Sequence, residues 1–418
     1  MSHPVEDSRL DYLDATRAFA LVLGIVFHAS LSFLPLFIGW VVMDTSTSAW
    51  VGIFCLVSHS FRMELFFLLA GFFGHTVLQR KGVKEFVRTR MLRLVVPFVV
   101  GWFLLRPLLV SAWIMGSASM RGDFEFWPAI LMGFQSLGKL PHELFTGTHL
   151  WFLYYLAMIT ALVLGLRGLL RAIVPSREAL GRRADRWVAW LANSRGSLPV
   201  LVGATSCVLW FMTGWGMDTP DRTLRPSFPV FAVYGGFFVL GWMLSRQRDL
   251  IPLFSRLSAS RWILAGAGIV VTIFLAKLQF DPGHPRYIPA RIIFTIGYAL
   301  MMWSLVFLTI GIFRKLFQRT HPFVRYVADS SYWLYLFHLP IVVWLQVAVA
   351  EIALHWSLKL AFISLVTALL SLLTYDLFVR STFIGAILNG RRRERMLPRL
   401  VFGRAATSVV RAKLSAES

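Results

Sequence analysis

The 418-residue chain has little of what a soluble enzyme is built from. Only 15% of its residues are charged and 57% are hydrophobic, whereas a soluble domain is about 25% charged and about 45–50% apolar. Acidic residues are scarce, 21 against 42 Lys and Arg, which leaves a formal net charge of +21. This composition excludes a soluble globular enzyme and a disordered chain. Cysteine is nearly absent: Cys55 and Cys207 fall inside apolar runs, which excludes a disulfide scaffold and fits free thiols acting as small apolar residues. There is no HExxH or CxxC spacing, so no metal site is expected. No internal repeat, low-complexity linker or basic soluble domain occurs, so the positive charge is not the footprint of a nucleic-acid binder.

What is present is apolar sequence in long blocks. About 20 helical residues at ~1.5 Å each cross a ~30 Å hydrocarbon core. Ten such spans are predicted, at 17–40, 50–78, 94–116, 149–170, 198–217, 228–245, 262–280, 290–312, 328–350 and 356–379. The first exceeds a signal-peptide core and lacks a small-residue cleavage site after it, so it reads as a permanent span. With the N-terminus inside, 32 of the 42 basic residues fall on inner connections and 6 on outer ones. That alternation is the positive-inside pattern. It predicts an all-α polytopic bundle of about ten helices with both termini cytoplasmic. A transmembrane domain over 1–380 is followed by a basic cytoplasmic tail, 381–418, whose stretch from Arg391 to Lys413 is placed on the anionic inner leaflet. In the long outer connection, FEFWPAILMGF (124–134) is too short to span and is expected in the interface or over the outer mouth.

Ionisable residues inside such blocks are the informative ones, since each costs roughly 2.5–3.5 kcal/mol at a helix centre. Six qualify: His28, His59, Arg62, Glu64, Arg106 and His338. At 1.5 Å per residue His28 and His338 lie about 15 Å from the inner face, and His59 about 13 Å from the outer one. Three imidazoles near one depth predict a shared polar cavity for substrate or protons. Arg17 and His28 are eleven residues apart, hence on one helix face, joined by Asp14 and Gly24. Asp14 is expected to pair with Arg17. Glu64 points away from Arg62 on a helical wheel and is expected to pair with Arg106. At the inner surface Arg90 and Arg93 are helical neighbours before Pro97, and arginine forks suit phosphate.

These residues carry a resemblance. YLDATRAFALVLGIVFH (12–28), HSFRMELFFLLAGFF (59–73), RTRMLRLVVPF (88–98), THLWFLYYL (148–156) and SYWLYLFHLPI (331–341) follow, in order, the segments of the acyltransferase-3 membrane family. Within it the sequence is most similar to the succinyltransferases of osmoregulated periplasmic glucans. Ala70 stands where the family often has Ser. Asp376 stands where it often has Glu, able to pair with Arg380. No appended soluble domain follows, which separates the chain from branches that use one.

The resemblance implies transfer of an acyl group from cytoplasmic acyl-CoA, succinyl-CoA or acetyl-CoA, to a hydroxyl of a periplasmic glycan, in a bacterial inner membrane. No permanently bound cofactor is implied. Arg17, Arg90 and Arg93 would hold the CoA phosphates, and His28 would act as general base. Arg62, His59 and His338 are the candidates for stabilising the oxyanion. Glu143, His149 and Trp151 would meet the sugar, and Arg62 or Arg106 a distal succinyl carboxylate. The lipid bilayer, the glycan and proteins of glycan synthesis or export are the implied partners. Two alternatives stay open: transfer to another glycan (lipopolysaccharide or exopolysaccharide), and a proton-coupled transporter, although no inverted repeat is seen.

Overall fold

The computed structural model describes residues 10–119, 125–138, 148–173, 176–220, 224–319 and 322–396. In chain order its helices are α1 (Asp11–Ser30), α2 (Ala49–His59), α3 (Arg62–Arg90), α4 (Val96–Ser119), α5 (Phe126–Gln135), α6 (Trp151–Ile173), α7 (Arg177–Asn193), α8 (Ser197–Leu209), α9 (Phe228–Arg246), α10 (Ile251–Phe254), α11 (Ala259–Leu275), α12 (Tyr287–Leu316), α13 (Pro322–Val349), α14 (Trp356–Thr374) and α15 (Phe383–Asn389). Among the described residues there is no strand. Among the described residues eight stretches are long and apolar enough to cross a membrane. The chain is a polytopic helical membrane bundle.

Two of the predicted features take another form. The spans expected at 50–78 and 94–116 lie in one apolar stretch, Ala49–Ala118, which bends instead of ending. α2 gives way to α3 at Phe61, whose φ of −136° leaves helical geometry. Gly82 breaks α3 at φ +75°, a region open chiefly to glycine. Beyond it the chain turns back. The Arg90 guanidinium reaches within 2.8 Å of where a Cβ on Gly74 would stand, although 16 residues of straight helix would span ~24 Å. The span expected at 198–217 is the 13-residue α8, about 20 Å long and short of a ~30 Å core. Beyond it Trp215 turns inward and is buried, while the Asp218 carboxylate accepts from the backbone N–H groups of Thr213 and Gly214.

α1 is enclosed by α3, α12, α13 and α14, and α3 lies along α9. At that crossing Gly71 sits on the Phe238 carbonyl and Gly241 on the Leu68 carbonyl, too close for any side chain. Small residues that let backbones approach are how membrane helices gain packing energy. α5 packs on α4 through Gly133, leaving Trp127, Leu131 and Phe134 exposed. An ion pair, Lys359 to Asp44 at 2.7 Å, ties α14 to the loop after α1. The expected Asp376–Arg380 pair is present at 3.8 Å.

Two prolines free backbone acceptors that other helices use. Pro97 has no N–H for the carbonyl four residues back, that of Arg93. The helix widens into a π turn over Met91–Val95, and the Tyr332 hydroxyl donates to the Arg93 carbonyl. Pro340 likewise leaves the Leu336 carbonyl without its helical donor, and His149 Nε2 donates to it at 2.9 Å.

Candidate active site

A cavity of about 520 Å³ runs between α1, α3, α6 and α13. Asp14, Arg17, Leu21, Gly24 and His28 of α1 all line it, the single face that the periodicity predicts. Arg17 Nη2 is 3.3 Å from the Asp14 carboxylate and donates to the Ala328 carbonyl of α13 at 2.9 Å. At the other end the His28 and His338 rings are 5.3 Å apart. Eleven residues separate Arg17 from His28, and ten separate Ala328 from His338. The two parallel helices therefore keep one register across ~15 Å.

The imidazoles form a row: His28, His338 and, 5.7 Å further, His149. His338 Nδ1 donates to the Leu334 and Tyr335 carbonyls at 2.9 and 2.8 Å. A ring that donates from Nδ1 carries its lone pair on Nε2, and His338 Nε2 is buried with no partner. His149, donating from Nε2 to Leu336, keeps a buried, unpartnered Nδ1. The Tyr335 hydroxyl holds the His149 carbonyl at 2.7 Å. Gln346 fixes the end of α1, donating to the His28 and Ala29 carbonyls and accepting from Trp40 Nε1 at 3.0 Å.

His59 and Arg62 enter from the helix break. His59 Nε2 donates to the Met217 carbonyl at 3.0 Å, and its ring stacks on Phe27 at 5.7 Å. The Arg62 guanidinium lies over the same Phe27, 4.3 Å from its centroid. Gly24 makes this possible: Arg62 Nη1 is 3.3 Å from the place of a Cβ there. Arg62 is 5% exposed, and its Nε and Nη1 have no hydrogen-bond partner.

Arg17, Arg90 and Arg93 meet at the basic end, and His28, His59, Arg62, His149, Trp151 and His338 at the deep end, all lining one cavity. Trp151 gives one face to Tyr234, stacked at 5.6 Å. Glu143 lies outside the described residues.

One expectation is corrected. Glu64 does not pair with Arg106: both its carboxylate oxygens are buried without a hydrogen bond, and Arg106 sits over Trp102, away from the cavity. A wheel gives a direction, and here the direction leads towards α9. The start of the basic tail reaches the site: Arg391 and Arg393 line the cavity, and Arg393 pairs with Asp329.

Asp329, Tyr332, Tyr335, Gln346, Arg391 and Arg393 were not singled out from sequence. The first three step back from His338 by threes along α13, so counting turns from that histidine would have found them. Nothing local marks the arginines. Among the described residues, no three His, Cys, Asp or Glu side chains converge where a metal ion could be held.

The five resembling segments thus interlock. The SYWLYLFHLPI segment alone touches RTRMLRLVVPF through Tyr332 and THLWFLYYL through Leu336 and Tyr335. A family model described as an acyltransferase domain matches residues 10–376. The chain belongs to the acyltransferase-3 family. This membrane acyltransferase is 24% identical, over 403 residues, to glucans biosynthesis protein C of Escherichia coli (strain K12), covering 93% of the chain and 96% of the relative. The protein of the same name from Shigella dysenteriae serotype 1 (strain Sd197) matches to the same extent. No solved structure matches the chain. The matched family region of this acyltransferase ends before α15.

Proposed function

We propose that this acyltransferase moves a succinyl or acetyl group from acyl-CoA at the cytoplasmic face of a bacterial inner membrane to a hydroxyl of a periplasmic glycan. The observation that carries the reading is the paired register of α1 and α13, with a cation cluster at one end and facing imidazoles at the other. A pantetheine arm has about the length of four extended residues, ~14 Å, which suits the ~15 Å between the ends. Phosphates held at Arg17, Arg90 and Arg93 would leave the thioester beside His28. The relatives' part in glucan biosynthesis, as their name states it, favours a glucan as acceptor.

In the reaction the sugar hydroxyl oxygen attacks the thioester carbon while His28 takes its proton. The carbonyl electron pair moves to oxygen, where the unpartnered Arg62 guanidinium offers charge-assisted donors. As the oxyanion collapses the C–S bond breaks, and the His28 proton passes to the leaving thiolate. The products are the glycan ester and free CoA. His149 and His338 offer buried lone pairs on the same path, and Trp151 lines the cavity where the sugar would lie.

Purified protein given radiolabelled succinyl-CoA or acetyl-CoA and periplasmic glucan should label the glucan. His28→Ala should slow labelling by about 10²–10⁴-fold, the usual worth of a positioned base. Solute or ion flux with no label on glycan would replace this reading with a transporter.

A further inference from the structure

Beyond the matched family region the chain folds back on itself. α15 is followed by Gly390, at φ +79°, and the Arg93 guanidinium fills the space that a side chain at 390 would need. The segment is pinned on every side. Asn389 Nδ2 donates to the Tyr375 hydroxyl at 3.0 Å, and Arg393 N to the Arg380 carbonyl at 2.9 Å. Arg380 Nε donates to the Glu394 carbonyl at 2.7 Å, and Met396 N to the Asp376 carboxylate at 2.9 Å. This much order for a surface segment holds its side chains in place, and Asn389, Arg391 and Arg393 line the basic end of the cavity.

Charge at that end is unbalanced. Arg17, Arg90, Arg93, Arg391 and Arg393 line it, against the carboxylates of Asp14 and Asp329. Asp14 is engaged by Arg17 and Asp329 by Arg393. Among the described residues Arg90, Arg93 and Arg391 form no salt bridge. A row of cations left without carboxylates at a cavity mouth calls for a polyanion. Coenzyme A brings two such groups, a diphosphate and a separate phosphate on the ribose. Arg17 shares its α1 face with His28, the way by which the diphosphate and its arm would enter. Arg391, exposed at the rim, is set to meet what lies beyond the diphosphate.

We propose that the hook formed by α15 and residues 390–396 is part of the donor site, with Arg391 and Arg93 gripping the ribose 3′-phosphate of CoA. This rests on the donor assigned above and adds the element that tells a CoA thioester from one lacking that phosphate. Arg393 is a positioning residue, tied to Asp329 so that the hook stays over the mouth.

The test is calorimetric binding of coenzyme A and of 3′-dephospho-coenzyme A to the purified full-length protein, with no acceptor needed. The wild type should prefer coenzyme A by about tenfold, the worth of one charge-assisted contact. Arg391→Gln should weaken coenzyme A binding by that factor and leave dephospho-coenzyme A unchanged, so the preference disappears. Arg392→Gln, an exposed neighbour that does not line the cavity, should keep it. A wild type that binds both equally, or an Arg391→Gln variant that retains the preference, overturns the role of the hook while leaving the donor intact. A wild type that binds neither overturns the donor assignment and the hook together.

Discussion

Two pairs of charged residues are buried in this bundle in opposite ways. Lys359 and Asp44 are each 1% exposed and 2.7 Å apart. Lys359 also donates to the Ala350 carbonyl, and Asp44 accepts from Ser46 N. Arg62 and Glu64 are as deeply buried, 5% and 0% exposed, yet Glu64 and two of the three Arg62 nitrogens lack hydrogen-bond partners. Burying a charge costs several kcal/mol, returned only by good geometry and further hydrogen bonds. The first pair meets those conditions and belongs to the scaffold. The second does not, and Arg62 faces the cavity that the histidines line. Arg62, with hydrogen-bonding capacity to spare, is open to a ligand in a way that the closed Lys359–Asp44 pair is not.

The contrast can be broken by substitution. Lys359→Met should lower stability by about 3–5 kcal/mol, since it strands a buried carboxylate, while turnover per folded molecule stays at the wild-type value. Thermal unfolding and activity in detergent read both. Arg62→Gln should do the reverse: turnover falls by about 10²–10³-fold, as on loss of an oxyanion donor, and stability changes by less than about 1 kcal/mol. If Arg62→Gln unfolds the protein as Lys359→Met does, the distinction fails. Asp44→Leu with Lys359→Met should recover most of the single variant's loss, because a matched apolar pair often replaces a buried ion pair at little cost. The smallest effect is Tyr332→Phe, about 1 kcal/mol for one hydrogen bond, with a readable rise in donor KM because the π turn carries Arg93 and follows directly on Arg90.

The sequence made the helix class, the alternation of sides and the Arg17–His28 face legible, because each depends on periodicity within one element. The pairing of α1 with α13 was half legible: depth placed His28 and His338 together, but their shared register rests on the Arg17 contact with Ala328. What stayed hidden was between elements. Glu64 has a definite wheel direction, but which helix stands there depends on the Gly71–Gly241 crossing. His149 was read as an outer sugar contact, yet a single carbonyl on α13 draws it into the histidine row. Arg391 looked like any leaflet-bound cation until the chain reversal at Gly390 set it beside Arg93.

Pro97 and Pro340 do not line the cavity, yet each sets the chemistry of a residue on another helix. By withholding one N–H, Pro340 leaves a carbonyl that decides which nitrogen of His149 keeps its proton. Restoring that N–H with alanine would give the Leu336 carbonyl a competing donor within its own helix. The tautomer of an imidazole would then be written, at one remove, in a residue that has no proton of its own to give.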